Sequence, residues 1–370
     1  MSDSQVEISV VMPCFNEEET VATCVSKALQ AFYELGIQGE VVVCDNSSTD
    51  ESASVAEAAG ARVVPEAVPG YGSALMTGIA ASRGKYIIMG DADDTYDFHE
   101  IASFVTYLRQ GYDLVMGSRF KGKILPGAMS WSHRYIGNPI LSGILNLLFN
   151  TNISDSHCGM RGFTQEAYKK LNLNSSGMEF ASEMVFKASR AKLKMADVPI
   201  NYYPRKGSSK LNTVQDAWRH LRLMLMYSPT WLYLIPGGAS LLIGLALLVF
   251  ASKVPLIFFG GLFMLLGLQV ISLGLHARTF GHIVQFYEGD RFMEWLWKHF
   301  DLEKGIMLGI IGLVAGAVIF TLAWKNWQNG VAESLRDIKS LVFGMTLFIG
   351  GVHTIFSSFF LSMMGMSRKS

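Results

Sequence analysis

A strand-like run changes directly into a cluster of acids in the segment YIIMGDADDTY, residues 86–96. Residues 86–89 are apolar or β-branched, as in a buried strand, and Asp91, Asp93 and Asp94 follow them. Three carboxylates this close repel one another unless a cation or several donors neutralise them. Few, oxygen-only ligands suit Mg²⁺ or Mn²⁺ shared with a substrate's phosphates better than zinc. We therefore predict a divalent metal site here, the alternative being a solvated acidic turn.

Short apolar runs of the same kind alternate with helical patterns in the N-terminal half. The runs cover residues 8–12, 41–44, 62–64, 86–89 and 114–116, and the helical patterns cover residues 18–35, 51–59, 71–82 and 99–110. This alternation is typical of an α/β fold, so we predict a mostly parallel sheet with helices on both faces. Ligands of such sheets bind beyond the carboxyl ends of the strands, where we expect the functional site.

Two more predicted strands end in polar segments. The first leads into PCFNE, residues 13–17, and the second into DNSSTD, residues 45–50. We interpret residues 47–50 as a helix cap, because Ser and Asp commonly accept hydrogen bonds from the free amides of a first helical turn.

A glycine-containing segment, GYGSA at residues 70–74, precedes the third helical pattern. Glycine permits close approach of a phosphate to a helix N-terminus, so Gly72 is a candidate substrate-binding residue. Leu75 stands where the last glycine of a GxGxxG pattern would be. This departure disfavours a nicotinamide-binding site.

The C-terminal part of the chain has the composition of a membrane domain. Charged residues make up 17% of the 370 residues, below the roughly 25% of an average soluble protein, and Lys253 is the only charge between residues 231 and 276. Four segments are long and apolar enough to cross a bilayer as helices. They cover about residues 231–251, 254–275, 306–324 and 341–364. We predict a soluble domain at residues 1–228 and a membrane domain of two helical hairpins at residues 229–370.

Basic residues near the predicted spans indicate their orientation. Arg205, Lys206, Lys210, Arg219 and Arg222 precede the first span, and Arg368 and Lys369 follow the last. Since basic residues concentrate on the cytoplasmic side, we predict a multi-pass protein of the cell membrane with its soluble domain on the cytoplasmic face. Residues 214–227 are amphipathic and are interpreted as an interfacial helix, or alternatively as a linker helix packed on protein. The polar, acidic start of the chain predicts no cleaved signal peptide.

Charge and cysteine content exclude other classes. The 31 basic residues balance the 31 acidic ones, whereas a nucleic-acid-binding protein usually shows a basic excess. The four cysteines have no CxxC spacing. We therefore expect neither nucleic-acid binding, nor a zinc site, nor a disulfide framework.

Taken together, the motifs resemble those of the family-two inverting glycosyltransferases, and most closely the polyprenyl-phosphate sugar synthases. The resemblance covers about residues 6–228 and rests on PCFNE at 13–17, DNSSTD at 45–50, GDAD at 90–93, GSR at 117–119 and RKGSSK at 205–210. It implies a GT-A-like domain that moves one hexose from a nucleotide sugar to a polyprenyl phosphate with inversion. UDP-glucose is the favoured donor and GDP-mannose the other candidate. A role in cell-envelope glycan biosynthesis and a possible homo-oligomer are further implications.

The resemblance also implies residue roles. Pro13, Phe15, Glu17 and Asp45 would surround the nucleobase and ribose, Asp91 would contact the nucleotide, and Asp93 would hold the metal, with Asp91 and Asp94 as further candidate ligands. Arg119 and Arg134 would bind the acceptor phosphate, Arg205 and Lys210 the donor diphosphate, and Glu183 would lie near the acceptor and sugar.

The sequence departs from the family pattern at three places. Asn46 stands where relatives often have a second acid, and Thr95 stands where some have Gln, so the remaining metal ligands stay open. QDAWR at residues 215–219 does not form the QxxRW motif of processive synthases, which disfavours a polymer-making enzyme.

Two alternative functions stay open at this stage. The acceptor could be another lipid or a growing polysaccharide. The chain could instead be a transporter or flippase subunit that only binds nucleotide sugars, although spans with almost no charge argue against transport.

Overall fold

The computed structural model describes residues 6–206, 213–283, 291–328 and 335–366. The chain forms two compact units, Met1–Met224 and Leu225–Ser370. The sequence places the boundary after residue 228, and the structure places the division after Met224.

The first unit contains a seven-stranded sheet in the order β3-β2-β1-β4-β6-β5-β7. The strands are β1 Ile8–Cys14, β2 Gly39–Asp45, β3 Arg62–Pro65, β4 Tyr86–Met89, β5 Leu114–Ser118, β6 Arg161–Thr164 and β7 Met195–Pro199. Only β6 runs antiparallel to its neighbours, β4 and β5. The predicted mostly parallel α/β sheet is therefore confirmed, and the sequence analysis missed β6 and β7.

In the described part of the chain, eight α-helices surround or follow this sheet. They are α1 Val21–Leu35, α2 Ser52–Ala58, α3 Tyr71–Ala81, α4 Ile101–Arg109, α5 Asn138–Phe149, α6 Gln165–Leu171, α7 Phe180–Arg190 and α8 Thr213–Met226. The four predicted helical patterns correspond to α1–α4. Helix α8 buries His220 and Met224 and leaves Trp218 57% exposed. Its location at a membrane interface stays a prediction.

Strand register brings the predicted polar segments to one edge of the sheet. Cys14 at the end of β1 pairs with Asp45 at the end of β2, and Val11 of β1 pairs with Met89 at the end of β4. Because these three strands are parallel, the chain leaves all of them on the same side. The segments that follow β1, β2 and β4 therefore meet at that edge.

Within its described residues, the second unit has four helices with the length and composition of membrane spans, at Thr230–Phe250, Val254–Ile283, Leu302–Gln328 and Leu335–Gly365. They correspond to α9 Ile235–Phe250 with the π-helical turn Thr230–Leu234, α10 Val254–Ile283, α12 Leu302–Gln328 and α13 Leu335–Met366; the short helix α11 covers Arg291–His299. The four predicted spans are confirmed, and the last three helices extend beyond the predicted limits.

In each hairpin, two pairs of glycines face each other across the helix interface. The two glycines on any one helix are seven residues apart. The pairs are Gly237 with Gly267 and Gly244 with Gly260 between α9 and α10, and Gly309 with Gly351 and Gly316 with Gly344 between α12 and α13. A Cβ atom on Gly244 would lie 2.6 Å from the carbonyl oxygen of Gly260. Small residues allow membrane helices to approach this closely.

We predict that Gly244→Leu destabilises the membrane unit by about 1–3 kcal/mol, because its side chain has no room against α10. The matched control is Gly238→Leu, since a Cβ atom on Gly238 meets nothing within 4 Å. Unfolding of the full chain in mixed detergent micelles measures both variants. Equal destabilisation by the two substitutions would contradict the packing role of Gly244.

Candidate active site

The loop after β4 is fixed in place by α1 and by its own hydrogen bonds. The hydroxyl of Thr20 donates to the carbonyl of Ala92 over 2.7 Å. The backbone amide and hydroxyl of Thr95 both donate to Oδ1 of Asp93, at 3.1 and 2.6 Å. Because Oδ1 is occupied in this way, Oδ2 of Asp93 is the oxygen that faces a neighbouring cation, Arg205.

Arg205 lies between two acids at this edge. Its Nη1 is 3.4 Å from Oδ2 of Asp93, and its Nη2 donates to Glu17. Its Nε is buried and has no hydrogen-bond partner in the described part of the chain. The structure therefore brings together Glu17, Asp93 and Arg205, which the sequence separates widely.

Asp91 lies beside Asp93 and is buried more deeply. Tyr71 donates its hydroxyl hydrogen to Oδ1 of Asp91 over 3.0 Å. Burial, and secondly the charge of Asp93, raise the pKa of Asp91 to about 7. Two carboxylates that disfavour each other's ionisation form a place where an added cation is strongly stabilised.

The residues at this edge fit an ion shared with a substrate rather than one held by protein alone. Among the described residues, no group of three or more His, Cys, Asp or Glu side chains is arranged to hold a metal ion. Mg²⁺ is commonly bound through one or two carboxylates, with water and substrate phosphates completing its shell. Asp91 and Asp93 meet that requirement.

Asp94 is directed to lysines instead. Its Oδ1 lies 2.7 Å from Nζ of Lys27, and its Oδ2 lies 2.9 Å from Nζ of Lys206. Burial alone would raise the pKa of Asp94, but hydrogen bonds from these two lysines hold it below its usual range. The carboxylate is thus already neutralised, an environment different from that of the metal ligand the sequence suggested.

Asp45, at the end of β2, has an unsatisfied carboxylate oxygen. Oδ2 accepts a bond from the amide of Ser48 over 3.3 Å, whereas Oδ1 is buried without a partner in the described part of the chain. A buried acceptor without a donor is costly, so Oδ1 of Asp45 is a candidate acceptor for a hydrogen bond from a ligand. Pro13 lies on the neighbouring strand, and Phe15, which follows that strand, is 45% exposed.

The segment after β2 forms hydrogen bonds with the segments that follow β1 and β3. Asn46 donates its side-chain amide to the carbonyls of Glu66 and Val68, which gives a structural role to a residue where relatives often have an acid. Asp50 accepts bonds from the amides of Ser52 and Glu18. The N-cap residue of α2 is Glu51, whose side chain makes no capping hydrogen bond, so the predicted cap at residues 47–50 is wrong. Asp50 instead joins the start of α2 to the loop after β1.

Arg119 follows β5 and forms a buried ion pair that the sequence analysis missed. Its Nε and Nη2 lie 2.7 and 2.8 Å from the two carboxylate oxygens of Asp155. The guanidinium also lies 5.1 Å from the centre of the Tyr202 ring. Such a fork-to-fork pair fixes the plane of the guanidinium.

The segment CGMRGF, residues 158–163, packs directly beneath the acids. A Cβ atom on Gly159 would lie 2.8 Å from Oδ2 of Asp91, and the amide of Gly159 donates to the hydroxyl of Tyr96. Arg161 is fully buried and donates to the carbonyls of Ser156, Cys158 and Ala181. The sequence analysis assigned no role to Arg161, because a lone arginine in this context carries no sign of burial.

Gly72 and Glu183 make contacts within the protein. The amide of Gly72 donates to the carbonyl of Ser176 over 2.8 Å, and a Cβ atom there would lie 2.0 Å from the carbonyl oxygen of Ser175. Glu183 is buried and accepts bonds from the amides of Asn174 and Ser175. Glycine thus permits close approach of the 175–176 backbone, and the predicted substrate contacts of Gly72 and Glu183 stay predictions.

The two remaining predicted residues are not joined to the acids. Arg134 lies on the π-helical turn His133–Gly137, with its guanidinium 5.4 Å from the Tyr135 ring. In the part of the chain that the structure describes, no hydrogen bond or ion pair links it to the acidic loop. Lys210 lies outside the described residues.

Comparison with known proteins yields two family matches. Residues 9–171 match glycosyl transferase family 2, and residues 275–365 match the glycosyltransferase family 2 C-terminal transmembrane region. The low-salt glycan biosynthesis hexosyltransferase Agl6 of Haloferax volcanii is 36% identical over 375 residues, which cover 98% of this chain and 90% of the relative.

Two further comparisons cover mainly the first unit. The dolichyl-phosphate hexose transferase of Haloferax volcanii is 27% identical over 208 residues, covering 56% of this chain and 87% of that protein. The crystal structure of a mycobacterial protein superposes with a TM-score of 0.50 at 22% identity, covering 60% of this chain and 74% of that one. The latter likeness concerns the fold.

We predict that Asp155→Ala destabilises the protein by about 3–5 kcal/mol, because it leaves the buried guanidinium of Arg119 unpaired. Chemical unfolding of the full chain in detergent measures the loss. The double substitution Arg119→Met with Asp155→Leu removes both charges and should recover most of the stability. A single variant as stable as the wild type would contradict the ion pair's role.

The raised pKa of Asp91 predicts a specific pH dependence in metal-free buffer. A carboxyl whose pKa is higher in the folded protein contributes stability below its unfolded pKa of about 3.9, and this contribution is lost as pH rises through about 7. Asp91→Asn cannot ionise, so it should gain stability relative to the wild type between pH 5 and pH 8. Thermal unfolding with a chelator present measures this, and a constant difference across that range would contradict it.

Proposed function

The chain belongs to glycosyltransferase family 2, and on that premise we propose that it transfers one hexose from a nucleotide sugar to a polyprenyl phosphate with inversion. The observation that carries this proposal is the juxtaposition of Asp91 and Asp93 with Arg205 at the carboxyl edge of the sheet. Two acids and an arginine in one place suit a diphosphate that arrives with a divalent cation.

On the donor side, each group has a distinct task. Asp45 would accept a hydrogen bond from the nucleobase or ribose at its unsatisfied Oδ1. Asp91 and Asp93 would hold Mg²⁺ or Mn²⁺, which when bound neutralises the charge of the departing nucleoside diphosphate. Arg205 would then donate to diphosphate oxygens, for which its unpartnered Nε is available.

On the acceptor side, the nucleophile needs orientation more than activation. A phosphate monoester has a second pKa near 6 and is largely a dianion at neutral pH, so it can attack the sugar without a strong general base. Arg119 and Arg134 would bind this phosphate, and Asp155 fixes the plane of the Arg119 guanidinium. Attack opposite the leaving group inverts the anomeric carbon.

The membrane unit supports a lipid acceptor. A polyprenyl phosphate keeps its chain in the bilayer and presents its head group at the surface, so an enzyme anchored by four spans meets it there. A relative in Haloferax volcanii is named a dolichyl-phosphate hexose transferase, which agrees with this acceptor class. Basic residues before the first span favour the cytoplasmic face for the catalytic domain.

The proposal also includes the identity of the nucleotide-sugar donor and the biosynthetic role of the enzyme. UDP-glucose is the favoured donor and GDP-mannose the second candidate. A role in cell-envelope glycan synthesis agrees with the relative named for low-salt glycan biosynthesis. Family membership makes the chain a glycosyltransferase. It therefore removes the reason for the alternative of a transporter or flippase subunit that only binds nucleotide sugars.

We predict that the purified full chain forms a lipid-linked hexose when supplied with polyprenyl phosphate, Mn²⁺ and one of a panel of radiolabelled nucleotide sugars. Extraction into organic solvent and thin-layer chromatography measure the product. Diacylglycerol and a ceramide serve as alternative acceptors in parallel reactions. Product formed on either neutral lipid but not on the phosphate would contradict the proposed acceptor.

We predict that Asp93→Asn lowers transfer by at least about a hundredfold, because the charge that holds the cation against the diphosphate is lost. Asp97→Asn is the matched control: Asp97 lies on the same loop, but its side chain accepts a bond from the amide of His99, which Asn can also do. Turnover near the wild-type level for Asp93→Asn, in a folded protein, would be incompatible with the metal assignment.

A further inference from the structure

Asp94 joins two parts of the chain that are far apart in sequence. Lys27 on α1 binds one carboxylate oxygen and Lys206 binds the other, at 2.7 and 2.9 Å. The Asp94 side chain is only 10% exposed, and its backbone has a φ of 60°. Aspartate tolerates this left-handed conformation better than most residues. The residue is therefore held in one orientation, away from Asp91 and Asp93.

One face of α1 supports this arrangement. Thr20 is the N-cap residue of α1. Cys24 and Lys27 follow it on the helix at intervals of four and three residues, a spacing that places side chains on the same side. Thr20 binds the carbonyl of Ala92, the buried Cys24 thiol contacts the backbone of Asp94, and Lys27 binds its carboxylate. Helix α1 thus fixes the acidic loop at three successive points.

Lys206 is the neighbour of Arg205, so the position of one limits the other. The amide of Tyr203 donates to the carbonyl of Thr95 over 3.0 Å, and Tyr202 forms a β-bridge with Tyr96. Residues 202–203 are thus fixed along the acidic loop by their backbone. Beyond them, the ion pairs of Arg205 with Glu17 and Asp93, and of Lys206 with Asp94, hold the segment over the acids.

We propose that Asp94 is a positioning residue for the donor site: through Lys206, and with Lys27 as its counter-charge, it sets where Arg205 stands above Asp93. Asp94 is on this account not a metal ligand. The inference rests on the proposed function, in which Arg205 binds the donor diphosphate. It assigns the three carboxylates of the acidic loop, Asp91, Asp93 and Asp94, to two separate tasks.

The exposure of Lys206 also limits how far the loss of its contact with Asp94 should lower activity. The Lys206 side chain is 58% exposed, and ion pairs with an exposed partner are weak because water and salt screen them. Loss of the anchor should therefore weaken the donor site without abolishing it. We expect a decrease of about tenfold, far smaller than the loss from Asp93→Asn.

The test compares Asp94→Asn with Lys206→Met in the full chain. Each should lower kcat/KM for the donor about tenfold and leave the KM of the polyprenyl phosphate unchanged. Because both residues act through one contact, the double variant should be no worse than either single variant. The controls are Asp97→Asn and Lys170→Met, an exposed lysine at the end of α6, and both should retain wild-type kinetics.

Metal affinity provides a readout that does not depend on turnover. Mn²⁺ binding is followed by electron paramagnetic resonance at a saturating concentration of the nucleoside diphosphate of the active donor. Asp94→Asn should change this affinity by less than about twofold, whereas Asp93→Asn should weaken it at least about tenfold.

Four results separate the possibilities. A tenfold or greater loss of Mn²⁺ affinity in Asp94→Asn would make Asp94 a ligand and overturn the inference. Additive losses in the double variant, or wild-type kinetics in Lys206→Met, would overturn it as well. If the wild-type chain binds no Mn²⁺, the proposed function loses its metal, and the non-additivity of the two variants still decides the role of Asp94.

Discussion

Mutual repulsion among carboxylates at one edge of the sheet governs the organisation of the first unit. Parallel strands bring Glu17, Asp91, Asp93 and Asp94 to that edge, and like charges this close destabilise one another unless cations stand between them. Among the described residues, three cations form ion pairs with these acids: Lys27, Arg205 and Lys206. The cations come from α1 and from a segment beyond β7, so compensation requires the whole sheet to be assembled.

Beneath the acids, buried polar groups hold the floor of the site. The guanidinium of Arg161 is satisfied by three backbone carbonyls, and that of Arg119 by both oxygens of Asp155. A buried charge is tolerated only when it is paired or hydrogen-bonded, so each arginine fixes the loops that provide its partners. These buried groups give the base of the site fixed positions.

Different interactions stabilise the membrane unit. In a bilayer, burial of apolar side chains gives little advantage, and close backbone packing stabilises the helices instead. Facing glycines such as Gly244 and Gly260 provide that packing in each hairpin. The first unit therefore depends on charge compensation, whereas the second depends on the absence of side chains at defined positions.

The sequence by itself determined the α/β class, five of the seven strands, the four spans and the family, because these follow from local periodicity, apolar length and ordered motifs. Strand β6 was not predicted, since it begins with a charged residue, Arg161, whose burial depends on hydrogen bonds to the carbonyls of Ser156, Cys158 and Ala181. Only the tertiary structure paired Arg119 with Asp155, 36 residues away, and turned Asp94 from Asp93 toward two lysines. Those outcomes depend on which side chains meet across the fold, and no local pattern contains that information.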